Sequence, residues 1–559
     1  MRKKCGAVSE EDTVPVCTES GEGKMTEKTS RKPDKSRVML ALLILVQMVM
    51  MIWYGTQKSD YHVDEYYTFG LANHHGEKTM EFQDGASYQG DPVFLDYLAA
   101  SPEHRFDYGN VWDNQREDVH PPFYYVLIHT ICSFLPGVFD KWIGISVNLA
   151  CMVICDLLLY LLARTISGSN RMGLITAFAG GFSLLAINMV LFIRMYAMLT
   201  IFFLALALLF AVYYGRERLD VKFCVLLWVI AVGGTMTQYY YLMYLFFLCL
   251  FFGIHLMKKK DARNVLCYLG TLGAAGVTCI AIFPDMLRQI FGGSNRGKEA
   301  FENLVSQGNY VSYLKEYGRI INEQLFGGFL PVVLSLLALA GIAALWKKAG
   351  DWKQNPKKWP FRGRMAMLAF GCAGYFFLVV KIAPYRTLRY IMPMGGMLLF
   401  LLIYALCRFL RPAFGPEYRK KIELSVLLLC VVLSVAGQIR TGAVYTFQDT
   451  NAYVEEAERY QGEHAVYVYN RKWKIPSSRR ELLQYGEFAF VKKKNIREWM
   501  SNRQEETLVV YLMKDMDNEE LIDLIYQGNP RFTAHEKIYE NTYANVYCFH
   551  NNEGERPFV

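Results

Sequence analysis

The sequence predicts a polytopic α-helical membrane protein that carries a second, soluble domain at its C-terminal end. Three observations support this. First, 53% of the 559 residues are apolar, including 36 Phe and 37 Tyr, which excludes a disordered chain. Second, these residues gather in runs close to the roughly 20 positions an α-helix needs to cross a bilayer. Third, Lys and Arg concentrate in the short stretches between runs, as in cytoplasmic loops, while beyond Arg440 the long runs give way to short strand-like segments.

The net charge of +8, from 60 basic and 52 acidic residues, is modest. No basic stripe interleaved with stacking aromatics accompanies it, which argues against nucleic acid as a partner. Of 13 cysteines, most sit within or beside apolar runs and behave as small hydrophobes. None forms a CxxC pair, so neither a disulfide framework nor a zinc ribbon is indicated.

Residues 1–37 are polar and mixed in charge, the composition of a flexible cytoplasmic tail. The apolar run 38–54 follows Arg31, Lys32, Lys35 and Arg37 with no small-residue cleavage site after it, so it is expected to be an uncleaved first span with its N-terminus inside. Ten further runs lie near 144–164, 172–193, 195–214, 222–237, 239–257, 264–283, 326–346, 365–383, 389–408 and 421–439, giving eleven crossings. The basic loops near 258–263, 347–364 and 408–421 then share one side, the cytoplasm. A shorter apolar stretch, 121–135, would break that parity if it crossed. It is therefore expected to lie along or partly within the membrane, with Pro121 and Pro122 at its start, where a missing N–H costs nothing. This places segment 55–143, loop 284–325 and everything after Arg440 outside. The expected domains are the tail 1–37, a membrane domain 38–440 that includes outer loop 55–143, and an extracytoplasmic α/β domain 441–559. In the last, 465–469, 488–491, 507–512 and 544–549 read as strands and 519–526 as helix.

Loop 55–120 holds thirteen acidic residues against four basic ones, together with five of the chain's ten histidines. Positive-inside placement leaves outer loops acidic anyway, but this loop has sharper features at its ends. His62-Val63-Asp64-Glu65-Tyr66-Tyr67 follows the first span, and Asp118-Val119-His120-Pro121-Pro122-Phe123-Tyr124-Tyr125 closes the loop. Both acidic clusters abut apolar helix, where a substrate with a polar head and a lipid tail would meet them. Ile193-Arg194-Met195-Tyr196-Ala197, Thr237-Gln238-Tyr239-Tyr240 and Arg389-Tyr390-Ile391-Met392-Pro393 follow in order.

This ordered series, over roughly residues 38–440, resembles the GT-C glycosyltransferases of the protein O-mannosyltransferase type, glycosyltransferase family 39, and their relatives that transfer aminoarabinose to lipid A. The resemblance implies a GT-C fold and a polyprenyl-phosphate-linked sugar donor, with mannose or another hexose moved to a glycan, lipid or protein acceptor. Transfer would occur on the outer face of the plasma membrane, with inversion at the anomeric carbon. It makes Asp64 the general base, Glu65 a group that positions a substrate or helps hold a metal, and Asp118 the second acid. His120, Arg194, Tyr196, Arg386, Arg389 and Tyr390 would bind substrate, the arginines facing a lipid phosphate that suits their planar fork. Each has a plainer alternative: acids favour helix starts, a lone histidine packs or caps a turn, and arginines at helix ends snorkel to headgroups. No cofactor is fixed by the residues. With no HExxH or DxD in the loop 55–120, a divalent ion stays open, as does its ligand set. A competing class is a transporter or flippase of a lipid-linked substrate, which would show an inverted repeat and paired interrupted spans; neither is evident. A noncatalytic scaffold would tolerate substitution of the loop acids.

Overall fold

The computed structural model describes residues 35–551 except 77, 293–294, 307 and 355–362. Most of the expected N-terminal tail, residues 1–34, lies outside the described residues. Among those described, nine helices are long and apolar enough to cross a membrane, from Lys35–Thr56 to Arg419–Arg440. The pair Asn170–Gly181 and Leu184–Leu191, bent by 56°, is a tenth candidate, either a broken span or a re-entrant loop. The break follows from local sequence: Gly180 and Gly181 end the first helix, and the Ser183 side chain accepts from the Ala186 N–H to start the second. The eleventh expected run is the 17-residue helix Val221–Thr237, shorter than the other candidates. Leu42, Leu45, Val46 and Val49 on the first helix are exposed, as a lipid-facing surface requires.

Stretch 121–135 forms the helix Phe123–Phe134, of 12 residues. At 1.5 Å per residue it is about 18 Å long, well short of a bilayer's ~30 Å core. It buries Tyr124, Tyr125, Ile128 and His129, so its apolar character serves packing as much as lipid contact.

The C-terminal region forms a sheet in the order β1-β3-β2-β4-β6-β5. Its strands are β2 (His464–Tyr469), β3 (Glu487–Lys492), β4 (Thr507–Met513), β5 (Ala534–Glu540) and β6 (Ala544–His550), and β1 is Ser87–Tyr88. Strands β2, β3 and β4 are parallel neighbours, and β6 closes antiparallel on β4. Alternation along the strands divides the core. Val466, Val468, Val491, Val510 and Leu512 pack with Ile496, Met500, Leu521 and Ile525 on one face. Tyr467, Phe488, Phe490 and Tyr511 join the main core on the other.

Strand β1 belongs to the loop 55–143, not to the C-terminal region. Ser87 pairs with Ala489 and Tyr88 with Phe488. Around it, Asp84 accepts from the Tyr469 hydroxyl at 3.0 Å and the Lys492 N–H at 2.8 Å, and the Trp499 indole donates to the Gly85 carbonyl at 2.9 Å. Asp91 forms a two-bond ion pair with Arg479, the geometry in which arginine binds carboxylate best. The expected boundary at residue 441 is thus a boundary in sequence; in space the sheet is built from both regions.

Candidate active site

The site begins with the helix Val63–Asn73. Its N-cap His62 accepts from the Asp64 N–H, and Glu65 accepts from the His62 N–H, a reciprocal capping box that satisfies two donors at the helix start. Asp64 and Glu65 are adjacent, so their side chains leave the helix about 100° apart, and their fates differ. Glu65 is fully buried; its Oε1 accepts from the Ile193 N–H at 2.7 Å and its Oε2 from Lys58 Nζ at 3.0 Å. Lys58 Nζ also donates to the Tyr445 carbonyl at 3.0 Å. Glu65 therefore ties together three distant segments and does not line the cavity. Glu65→Gln is expected to destabilise the fold by about 3–5 kcal/mol, because it leaves the Lys58 charge buried and unpaired. A lowered thermal unfolding midpoint would register this, and an unchanged midpoint would show that Lys58 does not need the carboxylate.

Asp64 faces a cavity of about 350 Å³ whose lining includes His120, Arg194, Tyr196, Arg389 and Tyr390. Its carboxylate is ion-paired with Arg389. Arg194 Nη1 lies 3.2 Å from the Asp64 carbonyl, 3.1 Å from Thr68 Oγ1 and 3.1 Å from the Tyr125 hydroxyl. Burial opposes ionisation of Asp64, but Arg389 and Arg194 outweigh it and hold the carboxyl below its ordinary range. Burial brings the neighbouring His62 down to about 4, so it is neutral at physiological pH.

Arg194 Nη2 lies 3.3 Å from His120 Nε2, and His120 Nδ1 lies 2.6 Å from Asp118 Oδ2. A guanidinium can only donate, so Nε2 accepts and Nδ1–H donates to the carboxylate. Lys78 Nζ, 3.0 Å away, takes the other Asp118 oxygen. Burial disfavours the Asp118 anion, but the His120 and Lys78 contacts prevail and hold its pKa below the usual range. Asp118 sits behind His120 and orients it, instead of lining the cavity as a second reactive acid. Arg386 is also absent from the lining; its guanidinium lies 3.5 Å over the Tyr313 ring. So six expected site residues meet at one cavity, while Glu65, Asp118 and Arg386 do not reach it.

Gln238, Tyr239, Tyr240, Gln289 and Tyr385 complete much of the wall. The first three lie in the Thr237-Gln238-Tyr239-Tyr240 segment noted in the sequence. Gln289 carries no sequence signal, yet it accepts from the Tyr239 hydroxyl at 2.6 Å and donates to the Asp118 carbonyl at 2.9 Å. From the C-terminal sheet region, Tyr543 comes close enough to feel Asp64: burial first, then Asp64 and Tyr385, push its phenol up to about 12.

Among the described residues, His75, His104 and Asp107 form one group that could hold a metal, their ligand atoms within 4.8 Å of one another. None lines the cavity. The His75 and His104 rings stack at 3.6 Å with 23° between planes, so their lone pairs lie in nearly parallel planes, a poor geometry for sharing one ion. At the cavity, Asp64 is ion-paired with Arg389, and behind His120 the Asp118 carboxylate is paired with Lys78.

A second, mostly apolar cavity of about 590 Å³ adjoins the first and shares Leu242 and Ile290 with it. It runs along helices Val221–Thr237, Tyr241–Lys258 and Ala262–Ile282, past Leu245, Leu250 and Leu269.

No family model and no curated protein sequence matches the chain. Its fold is similar to that of ArnT from Cupriavidus metallidurans bound to undecaprenyl phosphate, with a TM-score of 0.51 and 10% identity over 91% of this chain and 97% of that one. Against apo ArnT the TM-score is 0.51, with 9% identity over 92% and 98%. The archaeal oligosaccharyltransferase AglB from Archaeoglobus fulgidus, in complex with an inhibitory peptide and a dolichol-phosphate, aligns at a TM-score of 0.42 and 11% identity over 94% and 75%. The likeness to ArnT spans both the membrane helices and the C-terminal region, and the chain has the GT-C fold.

Proposed function

We propose that this protein is an integral membrane glycosyltransferase that moves one sugar, mannose or another hexose, from a polyprenyl-phosphate-linked donor to a hydroxyl of a glycan, lipid or protein acceptor. The observation that carries this reading is the placement of the Asp64 carboxylate against Arg389, with Arg194 held beside it on the Asp64 backbone carbonyl, in a cavity that adjoins an apolar groove. A phosphate linked to a polyprenyl tail has the same two-part character.

The donor phosphate would take Arg389 and Arg194, whose guanidinium forks match its oxygens, and the tail would lie in the groove past Leu245 and Leu250. Drawing Arg389 to phosphate releases Asp64. The freed carboxylate then removes the acceptor O–H proton while that oxygen attacks the anomeric carbon from the face opposite the phosphate. The bond from the anomeric carbon to the phosphate oxygen breaks, both electrons stay on the phosphate, and the arginines meet the added charge. Configuration inverts in this single displacement. His120, held neutral and oriented by Asp118, keeps Arg194 in place. The cavity lies at the end of the helices opposite the basic loops, which supports an outer-face reaction in a cell membrane with a cytoplasmic N-terminus.

The test is mass spectrometry of lipid-linked sugars and surface glycans in cells lacking the protein. A polyprenyl-phosphate sugar is expected to accumulate and one glycan to lose a residue; unchanged glycans and lipids would overturn the reading.

A further inference from the structure

A cavity of about 890 Å³ opens at the opposite end of the helices from Asp64, on the side of the basic loops. It lies where Lys141–Ser167 ends and where Asn170–Gly181 and Arg419–Arg440 begin, and Arg164, Arg171, Arg419 and Lys420 line it. Helix starts carry partial positive charge and favour anions. Here both starts bear cations: Arg171 in one first turn, Arg419 and Lys420 in the other, with no acid in either first turn. Tyr418 gives the second helix no side-chain cap, so its leading N–H groups add to the positive field.

The nearby carboxylates do not balance this charge. Glu423, buried at 3% exposure, lies 2.9 Å from Arg419, 3.4 Å from Arg411 and 3.9 Å from Arg171. One buried acid thus serves three arginines, and the only other acid on the lining is Glu417. The side chains of Arg164 and Lys420 make no hydrogen bond or ion pair with any described residue. Leu161, 39% exposed, also lines the cavity and sets an apolar side chain beside the cations.

We propose that this cavity binds a phosphate-bearing anion: the headgroup of an anionic phospholipid in that leaflet, or a soluble phosphate. The two sources share one chemistry, a phosphate accepting from guanidinium and ammonium donors at two helix starts. This site is separate from sugar transfer and does not depend on it.

The test uses delipidated full-length protein in detergent, with native mass spectrometry after addition of phosphatidylglycerol, phosphatidylcholine or inorganic phosphate. The comparison is the double variant Arg164→Gln, Lys420→Gln, together with Arg164→Lys, Lys420→Arg, which keeps the charge. Both positions are exposed, so the melting temperatures should match wild type. Phosphatidylglycerol is expected to bind wild type about tenfold or more tighter than the Gln variant, with binding retained by the charge-keeping variant and phosphatidylcholine indifferent to all three. Discrimination by inorganic phosphate without discrimination by phosphatidylglycerol would identify the soluble source. If neither separates wild type from the Gln variant, or phosphatidylcholine does so equally, the proposal is overturned.

Discussion

Asp64→Asn is expected to abolish sugar transfer, with a loss on the order of 10²–10⁴-fold or more in kcat, while the protein inserts and melts as wild type. Asparagine fills the same space and can still accept from Arg389, but it cannot take the acceptor's proton. The pH profile gives an independent reading. Asp64 is held below the ordinary carboxylate range by Arg389 and Arg194, and burial keeps both His62 and His120 below the usual imidazole value. As pH falls, activity should be lost only when Asp64 takes a proton, and no histidine limb should appear near neutrality. Once a donor phosphate occupies the arginines, less positive charge supports the Asp64 anion and its pKa rises. The acid limb of kcat should therefore lie above that of kcat/KM, because the first reports the complex and the second the free enzyme. Wild-type turnover by the Asn variant would sink the assignment.

Arg389→Gln is the second large effect. Charge-assisted bonds to a desolvated partner are worth about 2–5 kcal/mol, so donor affinity should fall by roughly 30-fold to 10³-fold or more, read as weakened binding of polyprenyl phosphate. Arg389→Lys should recover only part of this, since an ammonium offers a point charge where the guanidinium offers a fork. Removing Arg389 also removes the first cation that holds Asp64 ionised, so the acid limb of kcat/KM should move upward. Arg386→Gln provides the contrast: its guanidinium packs on Tyr313, and donor affinity should not change. Unaltered donor binding in Arg389→Gln would exclude it as the phosphate contact.

The pattern of what the sequence reveals has a physical basis. Membrane helices are legible because about 20 apolar residues in a row have few other uses. Asp64 and His120 were legible as the ends of a loop bounded by apolar helix, and they meet because Val63–Asn73 packs against Phe123–Phe134. The resemblance separated Asp64 from Glu65, but the burial of Glu65 was not legible: both are carboxylates, and which one turns inward depends on Lys58 together with Ile193 and Tyr445, the last two remote in sequence. Arg386 and Arg389 pose the same problem, since Tyr313 on a separate helix claims the first. Strand β1 is two residues long and has no periodicity to detect. Its partner lies in another region, so only the folded chain reveals it.

That pairing has a consequence in time. Ser87 meets Ala489 about 400 residues later in the chain, and Lys58 waits for the Tyr445 carbonyl. At roughly 5–20 residues per second, the ribosome needs on the order of 20–80 s after making the loop to deliver the strand that holds it. Throughout that interval Asp64 is already synthesised but not yet fixed in place. The site should assemble only once residues 445–489 have been made, so a chain terminated before them would carry the acidic pair into the membrane without an assembled site.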